Sequence, residues 1–232
     1  MWIKICASTN LEDAQLAAQL GADAVGFVFA PSSRRVTPAQ VARITQHLPK
    51  AVERVGVFAA VEPDQIALAA RTARLDTVQL HGLLNLDLLR RLRTLLPRRI
   101  KLIQALHWTV DANGSSAIEI AHQLRTLAAS NLAARILIDS KLGESSGGTG
   151  IPFDWAAART IFSEASAASA DTKLILAGGL RPQNVAQAIQ GLAPWGVDVA
   201  TGVESSPGRK SPEKLAAFIA AARKTQPATS EA

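Results

Sequence analysis

The sequence predicts a single-domain α/β protein, either a (β/α)8 barrel or a doubly wound parallel sheet. The length of 232 residues suits one domain of this class. Short runs rich in β-branched residues alternate with Ala- and Leu-rich amphipathic stretches, and no shift in composition divides the chain. No G-x-G-x-x-G motif follows the first run, which weakens the dinucleotide-binding form of the doubly wound sheet.

Hydrophobic periodicity and helix start signals place the individual elements. The predicted strands are Trp2–Cys6, Asp23–Phe29, Glu53–Ala59, Thr77–His81, Ile100–Leu106, Arg135–Asp139, Lys173–Ala177 and Gly196–Ala200. The predicted helices are Leu11–Leu20, Pro38–His47, Pro63–Arg71, Asn85–Leu95, Ser116–Ala128, Phe153–Ser163, Pro182–Gly191 and Ser211–Arg223. Thr37 before Pro38 and Ser211 before Pro212 combine an N-cap residue with proline at the first helical position. Residues 225–232 are polar and are predicted to form a flexible tail.

Composition excludes several classes of protein. With 48% hydrophobic and 19% charged residues the chain is not mostly disordered. A single cysteine excludes a disulfide framework and fits a reducing compartment. No apolar run approaches the roughly 20 residues of a membrane helix. We therefore expect a cytoplasmic protein with no membrane partner. The net charge is +6, but tyrosine is absent and the basic residues around the fourth helix are expected to be solvated, so we expect no nucleic-acid partner.

Strand alternation predicts which side chains point into a barrel. In the first strand Ile3 and Ile5 share the apolar outer face, which leaves Lys4 and Cys6 inside. The same alternation places Gln79, His81, Leu137, Asp139 and Asp198 inside. Cys6 and Asp139 end their strands, so a thiol and a carboxylate face one mouth, where they could act as base and acid. The alternative interpretations are inert packing for the cysteine and helix capping for the aspartate.

Lys4 and Asp198 are predicted to form an ion pair inside the barrel. The first and eighth strands are neighbours in a closed barrel, and an unpaired buried lysine would be costly. We expect the pair to be structural and Lys4 to favour a thiolate on Cys6. In the alternative interpretation, Lys4 reaches solvent at the bottom of the barrel.

Two glycine-bearing turns predict a phosphate site. Gly178-Gly179 follows the seventh strand and Thr201-Gly202 follows the eighth. Turns at these positions commonly bind phosphate through backbone N–H groups and a short helix, for which Glu204–Pro207 is the candidate segment.

Other loops carry weaker signals. Either Arg34 or Arg35, after the second strand, could bind a carboxylate at the mouth. The glycine-rich segment Lys141–Pro152 is the best candidate for a mobile lid. The four histidines are His47, His81, His107 and His122. They show no ligand spacing along the chain, so no metal site is expected.

As an ordered set, the motifs at the strand ends resemble the phosphoribosylanthranilate isomerase family. The motifs are KICAST-NLEDA, GADAVGFVF, SSRRV, VGVF, VQLHG, LIDS…GGTG…FDW, LAGGL-PQNV and GVDVATGVESSPG-K. They run from about Ile3 to about Arg223. The resemblance implies a single (β/α)8 barrel over residues 1–224 and an Amadori rearrangement of N-(5-phosphoribosyl)anthranilate, a phosphorylated aminosugar, with no metal or organic cofactor, by a monomer or homodimer.

The resemblance also implies roles for individual residues. Cys6 matches the general base of the family and Asp139 its general acid. Arg35 matches the residue that holds the anthranilate carboxylate. The residues that match the phosphate site are Gly178, Gly179, Thr201 and Gly202. The sequence departs from the family at two places: Ala7 replaces the usual glycine after the cysteine, and Ala200-Thr201 replaces the usual serine pair.

Other functions remain open on the sequence alone. A related phosphate-binding barrel enzyme of tryptophan or histidine synthesis is the nearest alternative. Indole-glycerol-phosphate synthase would need lysine and glutamate catalysts at strand ends. Early in the chain, only Lys4 is predicted to point into the barrel, which weakens this alternative. A non-catalytic sugar-phosphate sensor would not need both Cys6 and Asp139, and a nucleic-acid binder would bind DNA in a salt-dependent manner.

Overall fold

The computed structural model describes residues 1–59, 62–109, 115–133, 135–141 and 172–225. The predicted helix Phe153–Ser163 lies outside these residues, as does the predicted lid except for Lys141. Residues 226–232 of the predicted tail also lie outside them.

Eight parallel strands of the described chain close into a barrel in sequence order. They are β1 (Trp2–Ile5), β2 (Ala24–Val28), β3 (Glu53–Phe58), β4 (Thr77–Leu80), β5 (Lys101–Thr109), β6 (Arg135–Lys141), β7 (Lys173–Leu176) and β8 (Gly196–Val199). Closure is made by β1 on β8, with Ile3 opposite Val197 and Lys4 opposite Asp198. This pairing confirms the barrel and excludes the open doubly wound sheet, which has two free edges.

Within the described ranges, helices lie between consecutive strands from β1 to β6 and between β7 and β8. Those of the described ranges are α1 (Leu11–Gln19), α2 (Pro38–Thr45), α3 (Pro63–Thr72), α4 (Leu86–Leu95), α5 (Ser115–Ser130), α6 (Val185–Leu192) and α7 (Pro212–Lys224). The predicted caps are present: the Thr37 hydroxyl accepts from the Gln40 N–H, and the Ser211 hydroxyl accepts from the Lys214 N–H. None of these helices is long and apolar enough to cross a bilayer.

Strand alternation separates two hydrophobic cores. Ile3 and Ile5 are fully buried in the outer core between sheet and helices, as are Ile136 and Ile138. Each such side chain stabilises the fold by about 1.5–3 kcal/mol. The inner core contains Trp2, Ala24, Val55, Ile103, Ala105, Leu137, Ile175 and Ala177. The predicted inward and outward faces of β1 and β6 are therefore confirmed.

A charged and aromatic cluster fills the amino end of the barrel. The Arg135 guanidinium lies 2.6 Å from Oε1 of Glu53, and it lies 4.7 Å and 5.2 Å from the ring centroids of Trp195 and Trp2. The two indole rings stack with their centroids 5.3 Å apart. This cluster closes the barrel interior at its amino end.

The segment after β8 differs from the prediction. Glu204–Pro207 was expected to form a short helix, and this expectation was wrong. Glu204–Ser206 forms strand β9, which pairs antiparallel with β10 (Arg209–Lys210). The turn between them uses Gly208 with φ +80°. A short helix of one turn lies earlier, at Thr201–Val203, directly after β8.

Candidate active site

A cavity of about 240 Å³ opens at the carboxyl ends of the strands. Cys6, His81, Asp139 and Asp198 contribute to its lining, together with the turns after β2, β7 and β8. The thiol and the carboxyl predicted to act together therefore share one cavity. Active sites of (β/α)8 barrels lie at this end because loops from every strand converge there.

Cys6 lies in a tightly packed part of this cavity. It is 8% exposed, and its backbone N–H donates to the Val199 carbonyl at 2.8 Å. A Cβ atom on Gly26 of β2 would lie 2.9 Å from the Cys6 sulfur and 2.9 Å from Cε of Lys4. Glycine at this position therefore makes the room that the thiol and the lysine occupy.

The predicted ion pair of Lys4 and Asp198 is present. The Lys4 ammonium lies 2.9 Å from the Asp198 carboxylate, and Lys4 is fully buried. Burial by itself lowers the pKa of Lys4, but Asp198 and Cys6 raise it by more, so the pKa of Lys4 lies above its ordinary value. Lys4 therefore carries its charge directly beneath the thiol.

The effect of Lys4 on Cys6 is weaker than expected. Burial raises the pKa of the thiol, and the Lys4 ammonium lowers it without offsetting the burial. The pKa of Cys6 consequently lies above its ordinary value. The expectation that Lys4 favours the thiolate is correct in direction, but the resting form of Cys6 near neutral pH is the thiol.

Ala7 adopts a conformation that favours glycine. Its φ is +62°, and it is buried against the cavity immediately after Cys6. A left-handed backbone costs an L-residue about 1–2 kcal/mol. The turn is held on both sides, because the Cys6 N–H bonds to Val199 and the Ser8 N–H bonds to the Gly26 carbonyl at 2.9 Å. The departure from the usual glycine therefore places backbone strain beside the thiol.

Asp139 belongs to a cluster with two histidines from neighbouring strands. His107 and Asp139 are register partners on β5 and β6, and Nε2 of His81 lies 3.6 Å from Oδ2 of Asp139. Burial, and then the charges of His107 and Lys4, lower the pKa of His81 to about 3. Because the His81 ring is neutral near neutral pH, it supplies no positive charge that would hold Asp139 ionised.

Among the described residues Arg34 is the arginine that lines the cavity, and it is held by Glu204. Its Nε and Nη2 lie 2.8 Å and 2.6 Å from the two carboxylate oxygens of Glu204. The structure places Arg35 elsewhere: it is exposed and is not among the residues that line this cavity. The physical reason is the hairpin after β8, which brings Glu204 to the first arginine of the SSRRV motif.

Lys210 connects this ion pair to Cys6. Its buried ammonium lies 2.6 Å from the Cys6 carbonyl, 3.1 Å from the Ala200 carbonyl and 3.3 Å from Glu204. Burial lowers the pKa of Lys210 despite Glu204. Burial raises the pKa of Glu204, but Arg34 and Lys210 lower it by more, so that pKa lies below its ordinary value. The network fixes the ends of β1 and β8 relative to Arg34.

The two predicted phosphate turns lie against each other. Gly178 and Gly179 both have positive φ, +87° and +62°, and they line the cavity with Thr201. A Cβ atom on Gly202 would lie 1.9 Å from the Leu180 carbonyl oxygen, so only glycine allows this approach. Gly202 lines an adjoining cavity of about 260 Å³ with Gly179 and Thr201. The structure thus brings all four predicted residues to one edge of the mouth.

The family model of N-(5'-phosphoribosyl)anthranilate (PRA) isomerase matches residues 3–221. The chain belongs to the PRA isomerase family. A relative from Citrifermentans bemidjiense, named N-(5'-phosphoribosyl)anthranilate isomerase, is 41% identical over 223 residues, which are 96% of this chain and 97% of that one. A relative of the same name from Thermotoga maritima is 39% identical, with 94% and 96% covered.

Solved structures of PRA isomerases share the fold. The Thermotoga maritima enzyme has a TM-score of 0.80 and 36% identity, covering 97% of this chain and 99% of that chain. A second PRA isomerase structure, in complex with reduced 1-(o-carboxyphenylamino)-1-deoxyribulose 5-phosphate, has a TM-score of 0.77 and 34% identity, with the same coverage.

Sequence reasoning missed three residues of the site. Glu204 and Lys210 lie within the GVESSPG-K motif, which could have drawn attention to them as charges beside a predicted phosphate turn. His107 was considered with the other histidines and set aside because its spacing to them fits no ligand pattern. Its proximity to Asp139 arises from the pairing of β5 with β6, which sequence spacing does not report.

Proposed function

We propose that this chain catalyses the Amadori rearrangement of N-(5-phosphoribosyl)anthranilate to 1-(2-carboxyphenylamino)-1-deoxyribulose 5-phosphate, in tryptophan biosynthesis. One observation carries the proposal: Cys6 and Asp139 line one cavity that is bordered by paired glycine turns. The names of the relatives support it, as does the related structure that holds a reduced form of the product.

The substrate is anionic at both ends, and the site offers a partner for each. Backbone N–H groups of the turns at Gly178, Gly179 and Gly202 are assigned to the phosphate. The anthranilate carboxylate is assigned to Arg34 rather than Arg35, because Arg34 lines the cavity. Glu204 occupies Nε and Nη2 of Arg34, which leaves Nη1, at 3.4 Å from the Ser33 hydroxyl, for the carboxylate.

Asp139 is assigned the role of general acid. Its carboxyl proton passes to the ring oxygen of the sugar, the bond from that oxygen to C1 breaks, and the nitrogen lone pair forms the C1 iminium ion. A free aspartate titrates at about 4, so the site must favour the protonated form. Asp139 is 6% exposed, and burial disfavours the charged form of a carboxyl group.

Cys6 is assigned the role of general base. The thiolate removes the proton from C2, the electron pair moves to the iminium, and the resulting enolamine tautomerises to the ketone. Cys6 rests as the thiol and must lose its proton before this step, and Lys4 is the positioning residue whose charge lowers the pKa of Cys6 against the effect of burial. The iminium ion accepts the electron pair, so the chemistry requires no metal and no organic cofactor. Transfer of one proton from Cys6 to Asp139 through solvent then restores both groups.

The proposal is tested with freshly prepared N-(5-phosphoribosyl)anthranilate. We expect the purified protein to consume it, followed by the loss of substrate fluorescence, and we expect the gene to restore growth of a tryptophan auxotroph that lacks this isomerase. Binding of the substrate without turnover would identify a sensor and would overturn the enzymatic proposal. The Asp139→Asn protein is the matched control, because it keeps the shape of the cavity.

The remaining expectations on partners and location belong to the same proposal. We expect a cytoplasmic enzyme whose partner is a small phosphorylated aminosugar, with neither nucleic acid nor membrane bound. We expect a monomer or a homodimer. A related Thermotoga maritima structure is described as monomers generated from a dimeric enzyme, so both states occur in that relative.

A further inference from the structure

Three side chains at the mouth of the barrel have the composition of a metal-binding triad. His81 follows β4, His107 lies on β5 and Asp139 lies on β6, so the three come from consecutive strands. Each offers one ligand atom, and these atoms all lie within 4.8 Å of one another. The two imidazole rings meet edge to face, with centroids 4.7 Å apart and an interplanar angle of 80°.

The geometry suits a zinc-class divalent cation. Zn–N and Zn–O bonds of about 2.0–2.2 Å place neighbouring ligand atoms about 3.3 Å apart in a tetrahedral site. The three side chains would therefore close inward by at most about 1.5 Å, which small side-chain rotations supply. Two imidazoles and one carboxylate select Zn²⁺, Co²⁺ or Ni²⁺ over Mg²⁺ or Ca²⁺, which prefer oxygen ligands.

The arrangement and the surroundings also favour a cation. The ligand atoms of His81, His107 and Asp139 already lie within 4.8 Å of one another without an ion. The Lys4 ammonium is paired with the Asp198 carboxylate at 2.9 Å, which offsets part of its repulsion of a bound cation. His81 and Asp139 line the open cavity, so a fourth coordination position would face the space where the sugar is proposed to bind.

We propose that His81, His107 and Asp139 form an inhibitory site for a zinc-class divalent cation. The bound cation takes the carboxylate of Asp139, which then cannot deliver a proton to the substrate. The cation and the sugar phosphate therefore compete for one cavity. The inhibitory part of this inference rests on the proposed isomerase function, whereas the binding part does not.

Binding is tested without any activity measurement. The full-length protein is freed of metal with a chelator and titrated with Co²⁺ near neutral pH while the visible absorption of the bound ion is followed. We expect one Co²⁺ per chain, displaced by Zn²⁺. We expect His107→Ala and His107→Gln to weaken binding by at least about 100-fold, because each removes a ligand. Two variants are needed in case one folds poorly.

Matched controls separate this site from other metal ligands. His47→Ala removes an exposed histidine that follows α2 and is expected to bind Co²⁺ as the unaltered protein does. Cys6→Ala is also expected to keep binding, because the thiol is not one of the three ligands. Unchanged Co²⁺ affinity in both His107 variants would overturn the site, and so would loss of binding in Cys6→Ala alone.

Inhibition is measured as the ratio of activities with and without Zn²⁺ for each variant. We expect Zn²⁺ to raise KM for the sugar phosphate in the unaltered protein, and we expect this effect to disappear in the His107 variants. Binding without inhibition would overturn the competition with substrate. Absence of isomerase activity in every sample, with Co²⁺ binding intact, would count against the proposed function and leave the metal site standing.

Discussion

The ammonium of Lys4 lies 2.9 Å from the carboxylate of Asp198 inside the barrel, where β1 closes on β8. Burial of one charge without the other would be costly, so the pair is formed at the point of closure. The same ammonium lies beneath Cys6 and acts on its pKa. One contact thus joins the closure of the fold to the ionisation of the proposed base.

We expect Lys4→Met to destabilise the protein by about 3–5 kcal/mol, because it leaves the Asp198 carboxylate buried and unpaired. The pKa of Cys6 should rise further in this variant, because an attractive charge is removed. Urea unfolding measures the first effect. The double variant Lys4→Met/Asp198→Leu should regain most of the stability, and failure to do so would argue against the ion pair as the cause.

The reactivity of Cys6 should increase with pH well into the alkaline range. Burial raises its pKa above the ordinary value, so the thiolate fraction is small near neutral pH and grows as pH rises. Cys6 is the only cysteine of the sequence, so the rate of alkylation reports on this thiol alone. A rate that has already levelled off near pH 7 would contradict the direction of the shift. The value of kcat/KM should rise over the same pH range, because the thiolate is the proposed base.

Cys6→Ser and Asp139→Asn should each lower kcat by about 10²–10⁴-fold with little change in KM, because each removes a group that acts in proton transfer. Steady-state kinetics with N-(5-phosphoribosyl)anthranilate measure both values. Retention of the fold is checked by circular dichroism. Near-normal turnover by Cys6→Ser would remove the base assignment, and near-normal turnover by Asp139→Asn would remove the acid assignment.

Arg34→Ala should raise KM by about 10–100-fold, because a hydrogen bond to a charged group contributes about 1.5–3 kcal/mol. The family resemblance implies Arg35 for this role, so Arg35→Ala is the matched control, and its KM should stay close to that of the unaltered protein. Glu204→Gln should raise KM by a smaller factor, because it loosens Arg34 without removing it. The reverse ranking of the two arginine variants would restore the assignment to Arg35.

Ala7→Gly should stabilise the protein by about 0.5–1 kcal/mol, because relief of the left-handed backbone exceeds the entropy cost of glycine. The melting temperature should rise by about 2–4 °C per kcal/mol. Ala193→Gly relieves a φ of +43° at the end of α6 and is the control for strain away from the thiol. If only Ala7→Gly changes kcat, the methyl group of Ala7 alters the position of Cys6. Destabilisation by Ala7→Gly would show that the left-handed conformation of Ala7 does not strain the backbone.

Prediction from the sequence succeeded where the signal was local. The alternation in KICAST and RILID identified Cys6 and Asp139 as inward residues at strand ends, and Thr37-Pro38 marked the start of α2. Prediction failed where the geometry of a turn decided the structure. Glu204–Pro207 was the candidate for a short helix, but this segment pairs with Arg209–Lys210 around Gly208. That hairpin was missed because it depends on a turn geometry that composition does not reveal.

The sequence by itself determined the order of the described strands and helices, the inner and outer faces of β1 and β6, and the position of Cys6 and Asp139 at one mouth of the barrel. These follow from a period of two residues in strands and from the residue types at strand ends, both of which are readable over a few positions. Only the tertiary structure decided that Arg34 lines the cavity while Arg35 is exposed, and that His81, His107 and Asp139 meet. Those contacts depend on the register between separate strands and on the closure of the barrel, and no stretch of sequence contains them.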